Sequence, residues 1–558
     1  MTMTAGRGIS PQLAATLRGW ARRWLAAAVT GIVAFALIRL ATAGPTLHDW
    51  EPPMLGIVVG STVAGALAAL RWEGLAGLWL AFLGVVLGVA TAAHYGPYLG
   101  LIPVLAVLPA AALLILAWQH VRSVRAVSAF AIALVVVMVG GGYGAFAAYD
   151  SVFGPSHPES STPPPDPSPV EWMWAGGVRS DGFTVVAGVD TASAELRLAP
   201  TTEGPWDVVA SAVAIDGVVR FDVGGLPAAT PISYRVSTTE GTGPIGAVVT
   251  FPDGPADLTI AFSSCARMGS NGAVFDAIRE VAPDLYIVTG DLFYGDIGPN
   301  DPDAFRRAYD EALTRPAQSA LYRAAPIAYV WDDHDYAQND ADSGAASRPA
   351  AMEVYRELVP HYPLAAADSP IYQSFTIGRV RVIITDTRSG RDPEAGTALG
   401  AEQLAWLEAE LRAAAGRDPL VIWVNPDPWI AGPDPGADHW GGYPEERAYL
   451  AALIDSLDFR GFLMLAGDAH MTAIDDGSNN LYGGMNPGFP VFHAGALDRP
   501  GSFKGGPYSE GAIPGGGQFG VLEIDDDGTS IDVRLSGRNW KNEEILSYRF
   551  LVPGAVQG

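Results

Sequence analysis

Five apolar stretches, at about 24–43, 54–70, 75–94, 99–118 and 126–148, fill most of the first 150 residues of this 558-residue chain. Each is close to the ~20 residues that cross a bilayer core as a helix. Five in succession, with few charges between them, predict an α-helical transmembrane bundle over residues 1–150. The first stretch is too long, and too soon followed by others, to be a cleaved signal peptide. Arg18, Arg22 and Arg23 precede it, Arg71 follows the second stretch, and Arg122 and Arg125 follow the fourth. The alternate connections carry His48, Asp49 and Glu51, or Tyr95 and Tyr98. By the positive-inside rule this predicts a multi-pass protein of the cell membrane, with a cytoplasmic N-terminus and everything after residue 150 extracytoplasmic. Arg39 is discordant and is read as snorkelling from a span end. His94 and His120 fall at span ends, so the expected role is an anchor in the lipid bilayer rather than transport.

The charge changes sharply beyond this region. Residues 1–150 carry a net charge of +4 and the rest of the chain −30, which together give the total of −26. A surface this acidic excludes nucleic acid as an expected partner, because phosphate backbones need basic stripes. The single cysteine, Cys265, rules out an intramolecular disulfide.

Residues 151–169 are rich in proline and serine and read as an extended linker. From 170 to 254, short runs such as Phe183 to Val189, Ala194 to Leu198, Val218 to Val223 and Ile232 to Thr238 alternate with Gly, Asp and Pro. That spacing predicts a small antiparallel β-sandwich. The segment from Leu226 to Val236 resembles the strand entry of fibronectin type III-like domains, which implies that Tyr234 pins a corner.

Residues 255–555 alternate apolar strands with helical segments, the pattern of layered α/β architecture. Acids and histidines fall just after the strands. Thr259 to Phe262 leads to Ser264 and Cys265; Leu285 to Thr289 leads to Gly290, Asp291 and Tyr294. Ile327 to Trp331 runs into Asp332, Asp333, His334 and Asp335, with Asn339 beyond. Val380 to Thr385 ends in Asp386 and Arg388, with Arg391 following; Leu420 to Val424 leads to Asn425; Gly461 to Ala466 leads to Asp468 and His470. One acid after a strand is usually a cap or a turn. Six strand ends supplying carboxylates, imidazoles, an amide, a phenol and a thiol form a mixed-ligand set suited to cations.

In this order, S-C, G-D-x-x-Y, W-D-D-H-D with a following Asn, D-x-R and G-D-x-H resemble the PhoD-like metallophosphatases of the calcineurin-like phosphoesterase superfamily. The segment W-G-G-Y-P-E-E-R, from Trp440 to Arg447, is similar to that family as well. The likeness covers roughly 170–550 and implies a two-sheet α/β sandwich with metals at the strand ends. It implies metal ligation by Cys265, Asp291, Tyr294, Asp333, Asn339, Asp468 and His470. His334 is the implied phosphoryl contact or general acid, Arg388 a catalytic phosphate clamp, and Asn425, Arg391 and Trp440 the substrate contacts. Cys265 stands where the superfamily has D-x-H, and Asp468 with His470 where it has H-x-H. The resemblance therefore implies iron with calcium, with manganese or magnesium as alternatives.

The expected function is hydrolysis of phosphate monoesters, diesters or both by a metal-activated water. A phospholipase or cell-wall polymer phosphodiesterase is an alternative suggested by the membrane tether. A binding or sensor protein that uses the β domain is an alternative of another class.

Overall fold

The computed structural model describes residues 10–42, 51–95, 97–119, 159–366 and 369–554. It divides into two units, Met1–Val152 and Phe153–Gly558.

The first unit contains α1 (Pro11–Thr42), α2 (Glu51–Ala68), α3 (Glu73–Tyr95) and α4 (Pro97–Gln119). Among the described residues no helix is long and apolar enough to cross a membrane. The transmembrane bundle and the multi-pass localisation are thereby overturned, and the lipid bilayer loses its support as a partner. The framing of the first apolar stretch differs from the expectation. Since α1 begins at Pro11, Arg18, Arg22 and Arg23 lie inside the helix instead of flanking it. Glu51 and two prolines open α2. The apolar side chains are used for packing between helices: Ala21, Leu25, Ala76, Leu80, Ala111 and Leu114 belong to one cluster. Arg18 pairs with Glu73 at 2.6 Å, joining α1 to the start of α3. The fifth apolar stretch, with His120, Arg122 and Arg125, lies outside the described residues.

The strands of the second unit form three sheets. The largest runs in the order β20 (Glu544–Val552), β19 (Ile531–Asn539), β18 (Gln518–Asp526), β8 (Leu258–Ser263), β9 (Leu285–Thr289), β10 (Ile327–Val330), β1 (Val170–Arg179), β2 (Gly182–Val189), β5 (Val218–Val223). A second runs β11 (Gln373–Ile377), β12 (Val380–Ile384), β13 (Leu420–Val424), β14 (Phe462–Ala466), β16 (Val491–His493), β15 (Met471–Asp475), β17 (Gly511–Pro514). The third holds β4 (Asp207–Val213), β3 (Ser193–Ala199), β6 (Pro231–Ser237) and β7 (Gly246–Val249).

The two larger sheets stack on one core. Successive residues of a strand face opposite sides, and β13 shows the consequence. Leu420, Ile422 and Val424 join the cluster shared with the largest sheet, where Phe262 of β8 meets Phe492 of β16 edge-on at 4.8 Å. Val421 and Trp423 enter a second cluster beneath helices on the far side. Both faces are buried, so the sequence reads as an unbroken apolar run. Each of the six strands expected from Thr259 to Ala466 is present to within a residue.

Helices complete the layers. On the largest sheet lie α5 (Ala273–Val281), α6 (Pro302–Thr314), α7 (Pro316–Ala324) and α9 (Arg348–Leu358), while the one-turn α8 (Asp333–Tyr336) follows β10. Leu407 and Leu411 of α10 (Gly400–Ala414) and Leu450 and Ile454 of α11 (Pro444–Ser456) cover Trp423.

The strands of residues 170–254 divide between sheets. β1 pairs in parallel with β10, Gly176 opposite Ile327, so β1, β2 and β5 extend the largest sheet while the others form the small one. Tyr234 is buried against Phe183, but its hydroxyl has no hydrogen-bond partner, so the expected corner bond is not made. The described part of the linker is docked rather than free. Ser160 N donates to the Asn271 carbonyl at 2.8 Å, Thr162 Oγ1 donates to Asp276 of α5 at 2.6 Å, and Glu159 pairs with Arg267 at 3.1 Å.

Gly176 lies at the join. A Cβ there would come within 2.5 Å of the carbonyl oxygens of Ile327 and Pro360. Gly176→Val is expected to destabilise the second unit by about 1–3 kcal/mol, as overpacking does; an unchanged denaturation midpoint would contradict this account of the join.

Candidate metal centre

The strand ends of both sheets bring their polar residues to one place. The tips of the two sheets approach closely: a Cβ on Gly467, which follows β14, would lie 2.3 Å from the carbonyl of Thr289 at the end of β9. Four non-glycine residues near these tips hold left-handed backbone conformations: Cys265 (φ 64°), Asp291 (φ 55°), Asp468 (φ 58°) and His470 (φ 48°). Such conformations are costly for residues with a Cβ and cluster at functional sites.

Three sets of side chains could each hold a cation, their ligand atoms lying within 4.8 Å of one another: Asp291, Asp333 and His334; Asp332, Asp427 and Asp468; and Asp333, Asp340 and Asp438. Asp333 belongs to two sets, which makes the sites neighbours. Burial first, and Asp333 next, push the Asp291 carboxyl well above the ordinary range. Burial likewise raises Asp468 to about 7, against the opposing pull of Lys504.

Of the ligands expected from sequence, the structure gathers Asp291, Asp333 and Asp468 in these sets, together with His334, the expected general acid. Cys265 and Tyr294 are close by. The Cys265 thiol donates to Ser264 Oγ at 3.2 Å, and burial followed by Asp291 raises it well above its usual value. Tyr294 stacks on His334 with ring centres 4.0 Å apart, and its hydroxyl meets His470 Nε2 at 2.9 Å. His470 therefore faces the phenol and is not in a carboxylate set; its other nitrogen, Nδ1, is 3.0 Å from the Pro500 carbonyl. Asn339 is exposed, and the next residue, Asp340, approaches Asp333 and Asp438 in its place.

Arg388 and Arg391 differ from the expected phosphate clamps. Both are buried with their donors already taken. Arg388 donates to Asp332 at 2.5 Å, to Asp438 at 2.6 Å and to Asp427 at 3.2 Å. Arg391 donates to Asp427, to Asp438 and, at 2.8 Å, to the Thr387 carbonyl. Such pairs orient carboxylates and leave no fork for a phosphate. Asn425 and Trp440 also turn inward: Trp440 Nε1 donates to Asn425 Oδ1 at 2.9 Å, and Asn425 Nδ2 donates to the Asp427 carbonyl at 2.7 Å. Neither is placed as a substrate contact; together they brace the turn carrying Asp427.

Sequence reasoning missed Asp340, Asp427, Asp438 and Lys504. Lys504 Nζ reaches both oxygens of Asp468, at 2.7 and 2.5 Å, and Asp438 at 3.5 Å. The signal available was proximity: Asp427 stands two residues after Asn425, and Asp438 two before Trp440.

Residues 260–506 match the profile of the family described as PhoD-like phosphatase. That stretch is similar to the PhoD-like phosphatases. Over 314 residues the chain is 26% identical to alkaline phosphatase D of Bacillus subtilis (strain 168), covering 45% of this chain and 53% of that protein. The chain thus spans about half the length of the curated relative it matches. The solved structure described as PhoD aligns with a TM-score of 0.58 at 18% identity, over 71% of this chain and 92% of that one, so the fold is shared.

Asp291 should be a burden to the metal-free protein. Its carboxyl is raised in the folded state, so its stabilising share is complete only below the unfolded value of about 3.9 and is lost as pH rises through the folded value. Asp291→Asn is therefore expected to raise the metal-free melting temperature, with a margin over wild type that widens above about pH 4, and to shrink the melting shift produced by added metal. A margin independent of pH would contradict the assigned electrostatics.

Proposed function

We propose that this chain is a metal-dependent phosphoesterase that hydrolyses phosphate monoesters, diesters or both with water as the nucleophile. One observation carries the reading: Asp291 Oδ2, Asp332 Oδ2 and Asp333 Oδ1 are buried carboxylate oxygens with no hydrogen-bond partner among the described residues. Leaving ionised oxygens unpaired in the interior is expensive, and cations are the partners that suit three of them at neighbouring positions. The donors fit metal ions of the hard kind, iron with calcium or, alternatively, manganese or magnesium, with Asp291, Asp333 and Asp468 as the central holders. Cys265, Tyr294 and His470 are proposed to complete the set. When bound, the cations supply a water of lowered pKa and neutralise charge on the phosphoryl group.

The protein's own groups supply the rest. His334 donates its N–H to the Asp291 carboxylate at 3.3 Å through the backbone, and its ring Nδ1 contacts Asp296 at 2.7 Å. Burial lowers its pKa, but Asp291, Asp333 and Asp296 together outweigh burial and raise it. The ring, held by its stack on Tyr294, therefore keeps a proton to give to a departing alkoxide. Arg388 and Arg391 hold Asp332, Asp427 and Asp438 in place and act as positioning residues.

The phospholipase or wall-polymer alternative rested on the membrane tether and loses that support. The binding-protein alternative is disfavoured by the convergence of Asp291, Asp333, His334 and Asp468, for which recognition alone supplies no reason.

The decisive test is hydrolysis of a phosphomonoester and a phosphodiester by the purified protein before and after chelation, with bound metal assayed. Turnover should vanish on chelation and fall on the order of 100-fold or more in Asp291→Ala. A folded protein with neither bound metal nor turnover would refute the reading. Separately, His334→Asn should slow alkyl esters by about 10²–10⁴ while sparing p-nitrophenyl esters, whose leaving group needs no proton. Equal losses on both would remove His334 as the acid.

A further inference from the structure

An anionic phosphate ester must approach a ring of buried carboxylates, and the protein needs a cation free to receive it. Arg388, Arg391 and Lys504 are each committed to Asp332, Asp427, Asp438 or Asp468. Arg499 is different. Its guanidinium lies 4.1 Å over the Tyr294 ring. Its buried Nε has no partner, and no hydrogen bond or ion pair holds it among the described residues.

The backbone around Arg499 is nonetheless pinned. Leu497 N donates to the Ser264 carbonyl at 2.9 Å, and Asp498 accepts from Arg267 N at 2.7 Å and from Ser270. The Pro500 carbonyl is 3.0 Å from His470 Nδ1, and Ser502 N donates to the His470 carbonyl at 3.1 Å. A loop tied on both sides, carrying one unspent guanidinium against a site tyrosine, is a preorganised anion receptor.

We propose that Arg499 binds the non-bridging oxygens of the substrate phosphoryl group. The assignment rests on the phosphoesterase reading and deepens it. Arg499 replaces Arg388 and Arg391 as the phosphate-binding arginine, and it acts through affinity rather than through the metal.

The test uses the full chain loaded with iron and calcium, and inorganic phosphate as the probe. Calorimetric phosphate affinity, KM and kcat for p-nitrophenyl phosphate, and bound metal are measured on the same preparations. In Arg499→Met, phosphate Kd and KM should rise about tenfold or more, with metal content unchanged, kcat less affected, and partial recovery in Arg499→Lys. Arg499→Gln removes the same charge should methionine disturb the Tyr294 stack. Phosphate affinity at the wild-type level in either neutral variant overturns the assignment while leaving an active phosphoesterase. A metal-loaded wild type that neither binds phosphate nor cleaves ester overturns the phosphoesterase reading and this assignment with it.

Discussion

Mutual repulsion among buried carboxylates is the constraint around which the second unit is organised. Asp291, Asp332, Asp333, Asp427 and Asp468 are all removed from solvent within a small volume. Low dielectric makes each unpaired charge costly and each pair strong. The chain answers with Arg388, fully buried, which touches Asp332, Asp427 and the neighbouring Asp438 at once, and with Arg391, which shares Asp427 and Asp438. Removing one partner from so dense a network would leave its counter-charges stranded, so these arginines are structural to the centre.

Two stacked sheets are what allow the carboxylates to come from distant parts of the sequence. The tips of β8, β9 and β10 belong to one sheet and those of β13 and β14 to the other, and the close passage of Gly467 past Thr289 brings the two rows together. The left-handed backbone at Cys265, Asp291, Asp468 and His470 turns each chain out of its strand at once. Rigid strands behind strained turns hold the side chains in a fixed geometry, which a charged site needs if it is not to relax by drifting apart.

Much of this was legible in the sequence, for a definite reason. Strands buried on both faces read as short apolar runs, and the first polar residue after each run marks the sheet tip, so Asp291, Asp333, His334 and Asp468 could be found by position. Asp427, Asp438 and Lys504 lie deeper in irregular loops, where no periodicity marks direction, and only the folded chain shows them turning inward. The arginines were found, but their partners were not, so their role was read as reaching outward. In the first unit the apolar stretches predict bilayer spans, yet their alanines and leucines serve helices that pack on one another. Hydropathy records that a side chain avoids water without recording what covers it.

The parallel pairing of β1 with β10 has a consequence for how the chain can be divided. Without β1, β2 and β5 the largest sheet would end at β10, a strand whose four residues are all buried. An excised segment starting near residue 255 would carry that strand as a bare, apolar edge with unpaired backbone donors and acceptors, the kind of surface that recruits strands from other molecules. Those three strands thus close the seam of the largest sheet and leave β10 no free edge at which another molecule could pair.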